Sequence, residues 1–323
     1  MIITLTPNPA LDITYRIPRL APGESHRVTD VVERAGGKGL NTAGVLTSMG
    51  RRVVALAPVG VEGLARFGAD LESRSIPHRL VEAPGVTRRS IAVVDESGVA
   101  TLLNEAGHAM ASGVWQGLVD EVQAAAPQAR VLTVSGSLPP EAPDDLVRSL
   151  VRVAREAGLR TVLDVSGPPL VECLADRPDV VKPNRGEAAA SLGGRSAATP
   201  SAGELALALS RAGARAAVVS DGAAGLFLSC GDVHLRAHLS QPLRGNATGA
   251  GDAATAALAA DLDDAGAIGA VALDEVATET WSEVLRRAVA WSAAAVLQPV
   301  AGVIDRDDVD RLLPTVEIEE IHA

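Results

Sequence analysis

A carboxylate that follows a run of small residues is the feature of this sequence that points most directly to catalysis. Gly249, Ala250 and Gly251 precede Asp252 at the start of an alanine-rich segment that is predicted to be helical. The unpaired N–H groups and the dipole at a helix N-terminus stabilise an anion, including a phosphoryl group in transfer. Asp252 could then accept the proton of an attacking hydroxyl group.

Two other interpretations of this segment remain open at this point. One is a helix cap with an acidic residue in the first turn, which requires no ligand. The other is a G-x-G-x-x-A dinucleotide fingerprint, but the preceding residues 241–245 are not an apolar strand. That fingerprint also belongs in a first βαβ unit rather than late in a chain, so we disfavour the dinucleotide interpretation.

Lysine and asparagine are rare in this chain, and the few that remain lie in loop-like segments with glycine or proline. Of its 29 basic residues only two are lysine, Lys38 and Lys182. A lysine is a compact charge and an asparagine combines a donor with an acceptor, so arginine and aspartate are poor replacements at a binding site. The rare residues are therefore candidate site residues, and the asparagines among them are Asn8, Asn41, Asn104, Asn184 and Asn246.

Three loop segments combine small residues with groups that bind anions. In residues 36–41, glycines allow a ligand to approach the backbone closely, while Lys38 and Asn41 supply a charge and an amide. Residues 135–139 and 220–225 follow predicted strands, where the ligands of open α/β sheets gather. The plain alternative for residues 36–41 is a turn that starts a helix.

The segment 182–187 allows both a structural and a functional interpretation. Asn184 and Glu187 have the spacing of a capping box, which would explain both residues without a ligand. Glu187 could instead help to order a metal-bound water.

The composition excludes several classes of protein. The net charge is −11 and the pI is about 5.1, so the basic face that nucleic-acid binding requires is not expected. No run of about 18 apolar residues is free of charge, and the N-terminus lacks the basic region of a signal peptide. We therefore expect a cytoplasmic protein that binds small molecules and neither nucleic acid nor a membrane.

The candidate residues lie between strand-like and helix-like segments that alternate along the chain. The predicted strands span residues 2–6, 11–17, 26–32, 53–57, 89–94, 99–103, 130–134, 161–164, 180–181, 216–220, 226–228 and 233–239. The predicted helices span residues 40–49, 63–73, 115–125, 144–157, 184–192, 201–212, 249–260 and 281–297. This alternation predicts an α/β fold with a doubly wound, mostly parallel sheet flanked by helices, plus a small sheet from the early hairpins. Residues 96–98 predict a hairpin turn, and the acidic residues 316–323 are predicted to be a peripheral tail.

Five motifs in this chain resemble, in their order, those of the ribokinase-like (PfkB) carbohydrate kinases, particularly the 1-phosphofructokinase and tagatose-6-phosphate kinase branch. They span residues 6–12, 36–41, 135–139, 182–187 and 248–252. The resemblance implies a ribokinase-like kinase domain over residues 1–315, with a β-sheet lid formed by about residues 11–34 and 86–104. It also implies ATP and Mg²⁺ as cofactors and transfer of the γ-phosphoryl group to a sugar hydroxyl.

The resemblance further implies a role for each matching residue. Asp252 would be the catalytic base, and the amides of Gly249, Ala250 and Gly251 would form the anion hole. The residues that would bind the acceptor are Asp12, Gly37, Lys38, Asn41, Arg88, Asn104 and Ser137, with Lys38 and Arg88 on its phosphate. The residues on the nucleotide side would be Lys182, Asn184, Glu187, Ser220, Gly222 and Gly225, and Glu187 would act on Mg²⁺ through water.

Departures from the family pattern lie beside the sugar pocket and affect the choice of acceptor. Leu102 stands where a polar residue is usual, Ala106 where proline is usual, and Ser90 where asparagine is usual. The leading hypothesis is phosphorylation of fructose 1-phosphate to fructose 1,6-bisphosphate by a homodimer that associates through the lid. The alternatives are a tagatose-6-phosphate kinase, a kinase of an unphosphorylated sugar or nucleoside, and a non-enzymatic sugar-responsive protein on the same scaffold.

Overall fold

The structure is a computed structural model that describes residues 1–97, 100–193, 200–264, 268 and 272–321. Its strands are β1 (Ile2–Leu5), β2 (Ala10–Arg16), β3 (Asp30–Gly36), β4 (Val53–Gly60), β5 (His78–Ala83), β6 (Arg88–Val94), β7 (Ala100–Asn104), β8 (Val131–Ser135), β9 (Arg160–Asp164), β10 (Val180–Val181), β11 (Ala216–Ser220), β12 (Leu226–Cys230), β13 (Val233–Leu239) and β14 (Val316–Glu320). Its α-helices are α1 (Lys38–Ser48), α2 (Leu64–Ser73), α3 (Ser112–Ala125), α4 (Leu146–Glu156), α5 (Pro168–Cys173), α6 (Arg185–Ser191), α7 (Ala202–Ala212), α8 (Ala250–Asp263), α9 (Thr278–Val296) and α10 (Arg306–Leu312).

The large sheet is doubly wound, as the alternation of strands and helices predicts. Its described strands run in the order β14-β13-β12-β11-β10-β9-β8-β1-β4-β5. The strands from β11 to β5 pair in parallel, and β12, β13 and β14 extend the sheet as antiparallel strands. The chain starts at β1, moves outward to β4 and β5, and then returns to β8 on the other side of β1. This reversal creates a switch point beside β1, and ligands of such sheets bind outside the carboxyl ends of the strands there.

Helices cover both faces of this sheet because successive strand residues point to opposite sides. Ile2 belongs to a buried core that contains α1, α8 and α9, whereas the next residue, Ile3, belongs to a core that contains α3, α4 and α7. Both isoleucines are fully buried. A parallel sheet buried on both faces requires such continuous apolar strands, which explains why they were readily predicted.

A second, smaller sheet forms the predicted lid. Its order is β3-β2-β6-β7, with β2 antiparallel to β3 and parallel to β6. Strand β2 starts directly after the loop that follows β1, and β3 ends at the loop that starts α1. Both connections place one side of the lid over the switch point of the large sheet.

The structure corrects three of the sequence predictions. The strand predicted at 26–32 lies instead at β3, because its pairing with β2 runs from Arg16 opposite Asp30 to Ala10 opposite Gly36. Strand β5 was not predicted, since an edge strand that carries polar residues lacks a continuous apolar pattern. The predicted turn at 96–98 and strand at 99–103 fall partly on residues 98 and 99, which lie outside the described residues.

The third correction concerns the residues predicted to form a peripheral acidic tail. Residues 316–320 form β14, an antiparallel edge strand paired with β13 along its whole length. Val316 is buried and Ile318 is half-buried, while the intervening Glu317 points outward. The glutamates conceal this alternation of apolar and polar residues in the sequence. No described helix is long and apolar enough to cross a membrane.

Candidate active site

The predicted site residues come together at the carboxyl ends of the central parallel strands. Asn8 and Asp12 follow β1, Ser137 follows β8 and Lys182 follows β10. The start of α8 faces the same edge, because a side chain at Gly251 would come within 3.5 Å of the Lys182 Nζ atom. Residues more than 240 positions apart in sequence, such as Asn8 and Gly251, therefore meet at the switch point.

Asp252 is buried in the first turn of α8, with only 6% of its surface exposed. The helix begins after Gly249, which has a left-handed φ of 85° that turns the chain into the helix. The Asn41 Nδ2 atom donates a hydrogen bond of 3.0 Å to Oδ2 of Asp252. The Thr42 hydroxyl donates to the backbone oxygen of Asp252 at 3.3 Å, so α1 holds both the base and the turn that presents it.

The surroundings of Asp252 adjust its proton affinity. Burial and the nearby charge of Asp164 raise the pKa of Asp252 to about 6. Lys38, the hydrogen bond from Asn41 and Lys182 act in the opposite direction and limit the rise. The carboxylate is thus ionised at neutral pH and is a stronger base than an exposed aspartate, as a proton acceptor in catalysis requires.

Asp164, at the end of β9, was missed by the sequence analysis and joins the two lysines of the chain. Its Oδ1 atom lies 3.0 Å from Lys38 Nζ, and its Oδ2 atom lies 3.0 Å from Lys182 Nζ. Thr255 in α8 also donates to Oδ2, at 3.3 Å. Burial acts to raise the pKa of Asp164, but the two lysines outweigh it and hold that pKa below its usual range. The signal that could have revealed Asp164 was its position at the carboxyl end of a predicted buried strand.

Lys38 is held by carboxylates instead of pointing freely toward an acceptor. Its ammonium group lies 3.0 Å from Asp164 and 3.0 Å from Glu187. Burial acts to lower the pKa of Lys38, but Asp164, Glu187 and Asp252 outweigh it and raise that pKa. Lys38 therefore carries a permanent positive charge between Asp164 and Glu187.

Asn184 and Glu187 form the capping box that their spacing predicted. The Asn184 side chain accepts from the Glu187 N–H at 2.8 Å, and Glu187 Oε2 accepts from the Asn184 N–H at 2.9 Å. The other carboxylate oxygen of Glu187 contacts Lys38. The cap thus fixes Glu187 beside the lysine, with one carboxylate oxygen on the Asn184 N–H and the other on Lys38.

The predicted nucleotide-side loop lies next to the capping box. Ser220 forms a parallel bridge with Asn184. A side chain at Gly222 would meet nothing within 4 Å, so this residue borders open space. At Gly225, by contrast, a Cβ atom would lie 2.0 Å from the Ala237 backbone oxygen, so its glycine is required by packing against β13.

Asp12, the first acidic residue of the lid, lies beside the glycine loop before α1. A Cβ atom at Gly36 would lie 2.0 Å from Asp12 Oδ2, so the carboxylate occupies the space that the glycine leaves open. Burial and the charge of Asp252 raise the pKa of Asp12 to about 7, while Arg88 and a hydrogen bond from the Gly37 backbone oppose this rise. Two carboxylates with raised pKa values therefore share one site.

Arg88 and Ser137 are joined through Asn8. Nε and Nη2 of Arg88 donate to the Asn8 backbone oxygen at 3.2 and 3.0 Å, and Nη1 donates to the Glu105 oxygen at 3.1 Å. The Asn8 amide donates to the Ser137 hydroxyl at 3.2 Å. Arg88 thus already has backbone partners, and Lys38 has carboxylate partners, instead of forming an open pair for a phosphate.

A cleft with about 560 Å³ of empty space, part of it open to solvent, lies between the lid, α1 and residues 246–248 and 300–301. Its polar wall includes Asp12, Arg34, Asn41, Ser90 and Thr248. Asn104 is not among the lining residues, but it pairs with Ser90 and accepts a hydrogen bond of 2.8 Å from the Ser90 hydroxyl. The cleft extends from the lid to Asn41, the hydrogen-bond partner of Asp252, so a molecule bound there would lie near this carboxylate.

A buried carboxylate at a helix N-terminus, next to two lysines and below a small β-sheet, is an arrangement that could transfer a phosphoryl group to an alcohol. The profile of the pfkB family of carbohydrate kinases matches residues 5–306. The chain belongs to this family, whose members use ATP, usually with a divalent metal ion. The predicted family and enzyme class are thereby confirmed.

Individual relatives support the same assignment. The chain is 37% identical to a 1-phosphofructokinase of Xanthomonas campestris pv. campestris over 273 residues, which cover 81% of this chain and 85% of that protein. The Escherichia coli phosphofructokinase-2 complex with fructose-6-phosphate superposes with a TM-score of 0.81 at 26% identity, covering 97% and 98% of the two chains. A possible 1-phosphofructokinase from Thermotoga maritima shares the fold, with a TM-score of 0.84, 22% identity and complete coverage of both chains. These relatives place the chain among the sugar-phosphate kinases.

Proposed function

We propose that the chain transfers the γ-phosphoryl group of ATP to a hydroxyl of a ketohexose phosphate, with fructose 1-phosphate as acceptor and fructose 1,6-bisphosphate as product. The observation that carries this proposal is the buried Asp252 carboxylate at the start of α8, bound by Asn41 at 3.0 Å. The 1-phosphofructokinase relative, at 37% identity, favours fructose 1-phosphate over other acceptors. Tagatose 6-phosphate is the second candidate, because the departures at Ser90 and Leu102 border the cleft.

The residues around α8 fit the triphosphate of ATP. The 14-residue helix presents small residues at its N-terminus, and Lys182 lies beside Gly251. In the described parts of the chain no group of three or more His, Cys, Asp or Glu side chains is arranged to hold a metal ion. Mg²⁺ commonly binds through substrate phosphates, waters and one or two carboxylates, so Glu187 would act on it through water. ATP with Mg²⁺ supplies the phosphoryl group and part of its charge neutralisation.

The protein side chains then have three tasks in the transfer. Asp252 accepts the proton of the acceptor hydroxyl and so makes its oxygen nucleophilic. The N–H groups of residues 249–251 and the charge of Lys182 stabilise the negative charge of the phosphoryl group in transfer. Asp12 and Asn41 orient the sugar from the lid side and the helix side of the cleft.

Replacing Asp252 by asparagine tests the proposed base. Asp252→Asn removes the proton acceptor but keeps the size and the position of the side chain, so kcat should fall by about 10²- to 10⁴-fold. ADP release with fructose 1-phosphate, fructose 6-phosphate, tagatose 6-phosphate and free sugars measures turnover and ranks the acceptors. Asp263→Asn, at the other end of α8, is the matched control and should keep turnover within about twofold. Near-normal turnover of a folded Asp252→Asn protein would disprove the assignment of the base.

We also propose that the protein is a cytoplasmic homodimer that associates through the lid. The face of the lid that points away from Asp12 carries exposed apolar side chains, including Val31 and Leu103. An exposed apolar surface on a small sheet is a usual site of association.

A further inference from the structure

Two charged residues at the end of helix α2 bind the backbone of the lid where β3 ends. The Ala35 N–H donates to Oδ2 of Asp70 at 3.0 Å, and Nη2 of Arg74 donates to the Ala35 oxygen at 2.7 Å. The same Nη2 atom lies 2.8 Å from the same Oδ2 atom. The two side chains and the backbone of one residue thus form a closed hydrogen-bonded ring, which we call the Ala35 ring. Neither charged residue lies in one of the five family motifs.

The position of Ala35 in the lid explains why these side chains are needed. Strand β3 is an outer strand of the described lid sheet, so every second residue turns its N–H and carbonyl groups away from β2. Ala35 is such a residue and is only 1% exposed, so bulk water does not satisfy these groups. A buried backbone group without a partner is strongly unfavourable. The Ala35 ring supplies both partners.

Helix α2 joins the Ala35 ring to the large sheet. Its residues Phe67 and Leu71 are buried in the core that also contains residues of α1 and β4. Asp70 lies in the last turn of α2, and Arg74 directly follows the helix. Their side chains are only 24% and 13% exposed, so solvent screens this ion pair less than one on the open surface. The end of β3 is therefore held by a helix that is anchored in the core.

The residues that follow Ala35 begin the loop that is predicted to bind the acceptor. Gly36 comes directly after it, and the Asp12 carboxylate occupies the space that this glycine leaves open. Gly37 then turns the chain, with a φ of 110°, into α1, which starts at Lys38. A displacement of Ala35 would therefore move Gly36 and Gly37 and change the place of the Asp12 carboxylate.

We propose that Asp70 and Arg74 are positioning residues for the acceptor, which act by fixing Ala35 and thereby the place of Asp12 and Gly37. Neither charged residue lines the cleft, so both act through the backbone that they bind. Small displacements matter at such a site, since a misplacement of about 1 Å can cost about 100-fold in rate. The inference rests on the proposed function, because binding of a sugar phosphate beside Asp12 is assumed.

Substitutions in the Ala35 ring should weaken acceptor binding selectively. Asp70→Ala and Arg74→Ala should each raise KM for fructose 1-phosphate by about tenfold, as measured by ADP release. KM for ATP should stay within about twofold, because Lys182 and Glu187 lie on other elements. Asp70→Asn keeps an acceptor for the Ala35 N–H, and Arg74→Lys keeps a charged donor, so each should recover most of the affinity.

Arg66→Ala is the matched control for these variants. Arg66 also lies in α2 and contacts Glu33 of β3, but this ion pair joins two side chains and does not involve the backbone of the strand. Its loss should leave KM for fructose 1-phosphate within about twofold of the wild type. A role of the Ala35 ring in folding alone would lower the midpoint of thermal unfolding of Asp70→Ala and Arg74→Ala without changing this KM.

Hydrogen exchange followed by mass spectrometry tests the Ala35 ring without reference to catalysis. The Ala35 amide is bound by Asp70 in the wild type, so peptides across residues 33–38 should exchange about tenfold faster or more in Asp70→Ala. Arg66→Ala should exchange like the wild type in the same peptides.

The outcomes separate this inference from the proposed function. If the wild type turns over no sugar phosphate but exchange across residues 33–38 still depends on Asp70, the proposed function fails and the Ala35 ring stands as the group that fixes this loop. If Asp70→Ala and Arg74→Ala keep the wild-type KM for fructose 1-phosphate, the inference is overturned. A KM that rises equally for fructose 1-phosphate and ATP would also overturn it, since it would show a general loss of structure.

Discussion

Two aspartates in this site have opposite proton affinities because of the charges around them. Asp164 contacts both lysines, and its pKa lies below the usual range. Asp252 has an amide as its hydrogen-bond partner and Asp164 as a nearby like charge, and its pKa rises to about 6. One carboxylate therefore holds cations in place at every pH of interest, while the other can exchange a proton.

The raised pKa values predict an acidic limb in the pH profile at an unusually high pH. Asp252 must be ionised to accept a proton, and its pKa of about 6 lies near that of about 7 for Asp12. Because the two groups interact, their titration is shared. We expect kcat/KM for the acceptor to fall by about tenfold per pH unit below pH 6, and not only near the ordinary value of 3.8.

Asn41 provides a way to shift this limb. Its hydrogen bond favours the ionised form of Asp252, so Asn41→Ala should move the limb to higher pH as well as weaken acceptor binding. Thr42→Val is the matched control, because the Thr42 hydroxyl contacts the backbone oxygen of Asp252 and not its carboxylate. A limb near pH 4 in the wild type, or one that Asn41→Ala leaves in place, would contradict the prediction.

The scarcity of lysine and asparagine helped to identify some site residues in the sequence, but residues of common types were not identified in this way. Lys38, Lys182 and Asn41 were found because lysine and asparagine are scarce in this chain, and the structure places them at one site. Asp164 was missed because aspartate is common here and this residue does not lie in a glycine-rich motif. Only the folded structure reveals that Asp164 lies between the two lysines.

At the scale of elements, buried strands and alanine-rich helices were predicted well because each has a continuous apolar pattern. Helix α8 is buried from Asp252 to Leu262, and its alanines let it pack closely between neighbouring helices. Strand β14 was missed because its outward glutamates dominate a segment of five residues. The prediction of a peripheral tail was wrong because β14 forms through its pairing with β13, and the sequence of β14 alone does not show that pairing.

Strand β14 predicts that truncation of the chain costs stability without affecting catalysis. A chain that ends at Thr315 loses the pairing with β13, the burial of Val316 and the ion pair of Glu319 with Arg236. We expect the free energy of unfolding to fall by about 2–4 kcal/mol. The turnover of the folded protein should change by less than about twofold, because β14 lies at the far edge of the sheet from β1.

Urea unfolding of the truncated chain measures this loss. Glu320→Ala is the matched control, since it removes an exposed charge from the same strand and should change stability by less than about 0.5 kcal/mol. Wild-type stability of the truncated chain would show that these residues are a dispensable tail after all.

At the scale of the whole molecule, the topology explains why motifs far apart in sequence form one site. Parallel strands on both sides of β1 end at the same edge, so each following loop contributes to a common cleft. The sequence predicted this arrangement through its alternation of strands and helices. It could not predict how the lid closes over the cleft, because that depends on pairing between β2 and β6, which are more than 70 residues apart.

The two faces of the lid carry different charged and apolar side chains, which leads to a prediction about assembly. The face toward the cleft carries Arg34 and Asp12, whereas Val31 and Leu103 on the other face are 50% and 57% exposed. If two lids associate through these apolar faces, Leu103→Asp should place a charge in the interface and shift the protein from dimer to monomer at micromolar concentrations. The acceptor KM should then rise, because a lid without its partner no longer holds Asp12 firmly over the cleft.

Sedimentation velocity and acceptor kinetics on the same samples test this link between assembly and binding. Val61→Asp introduces the same charge at an equally exposed apolar residue outside the lid, and it should leave both the dimer and KM unchanged. A monomeric wild type would refute association through the lid. A Leu103→Asp protein that becomes monomeric but keeps its KM would show that one lid is rigid by itself, so that Asp12 binds the acceptor without help from a second chain.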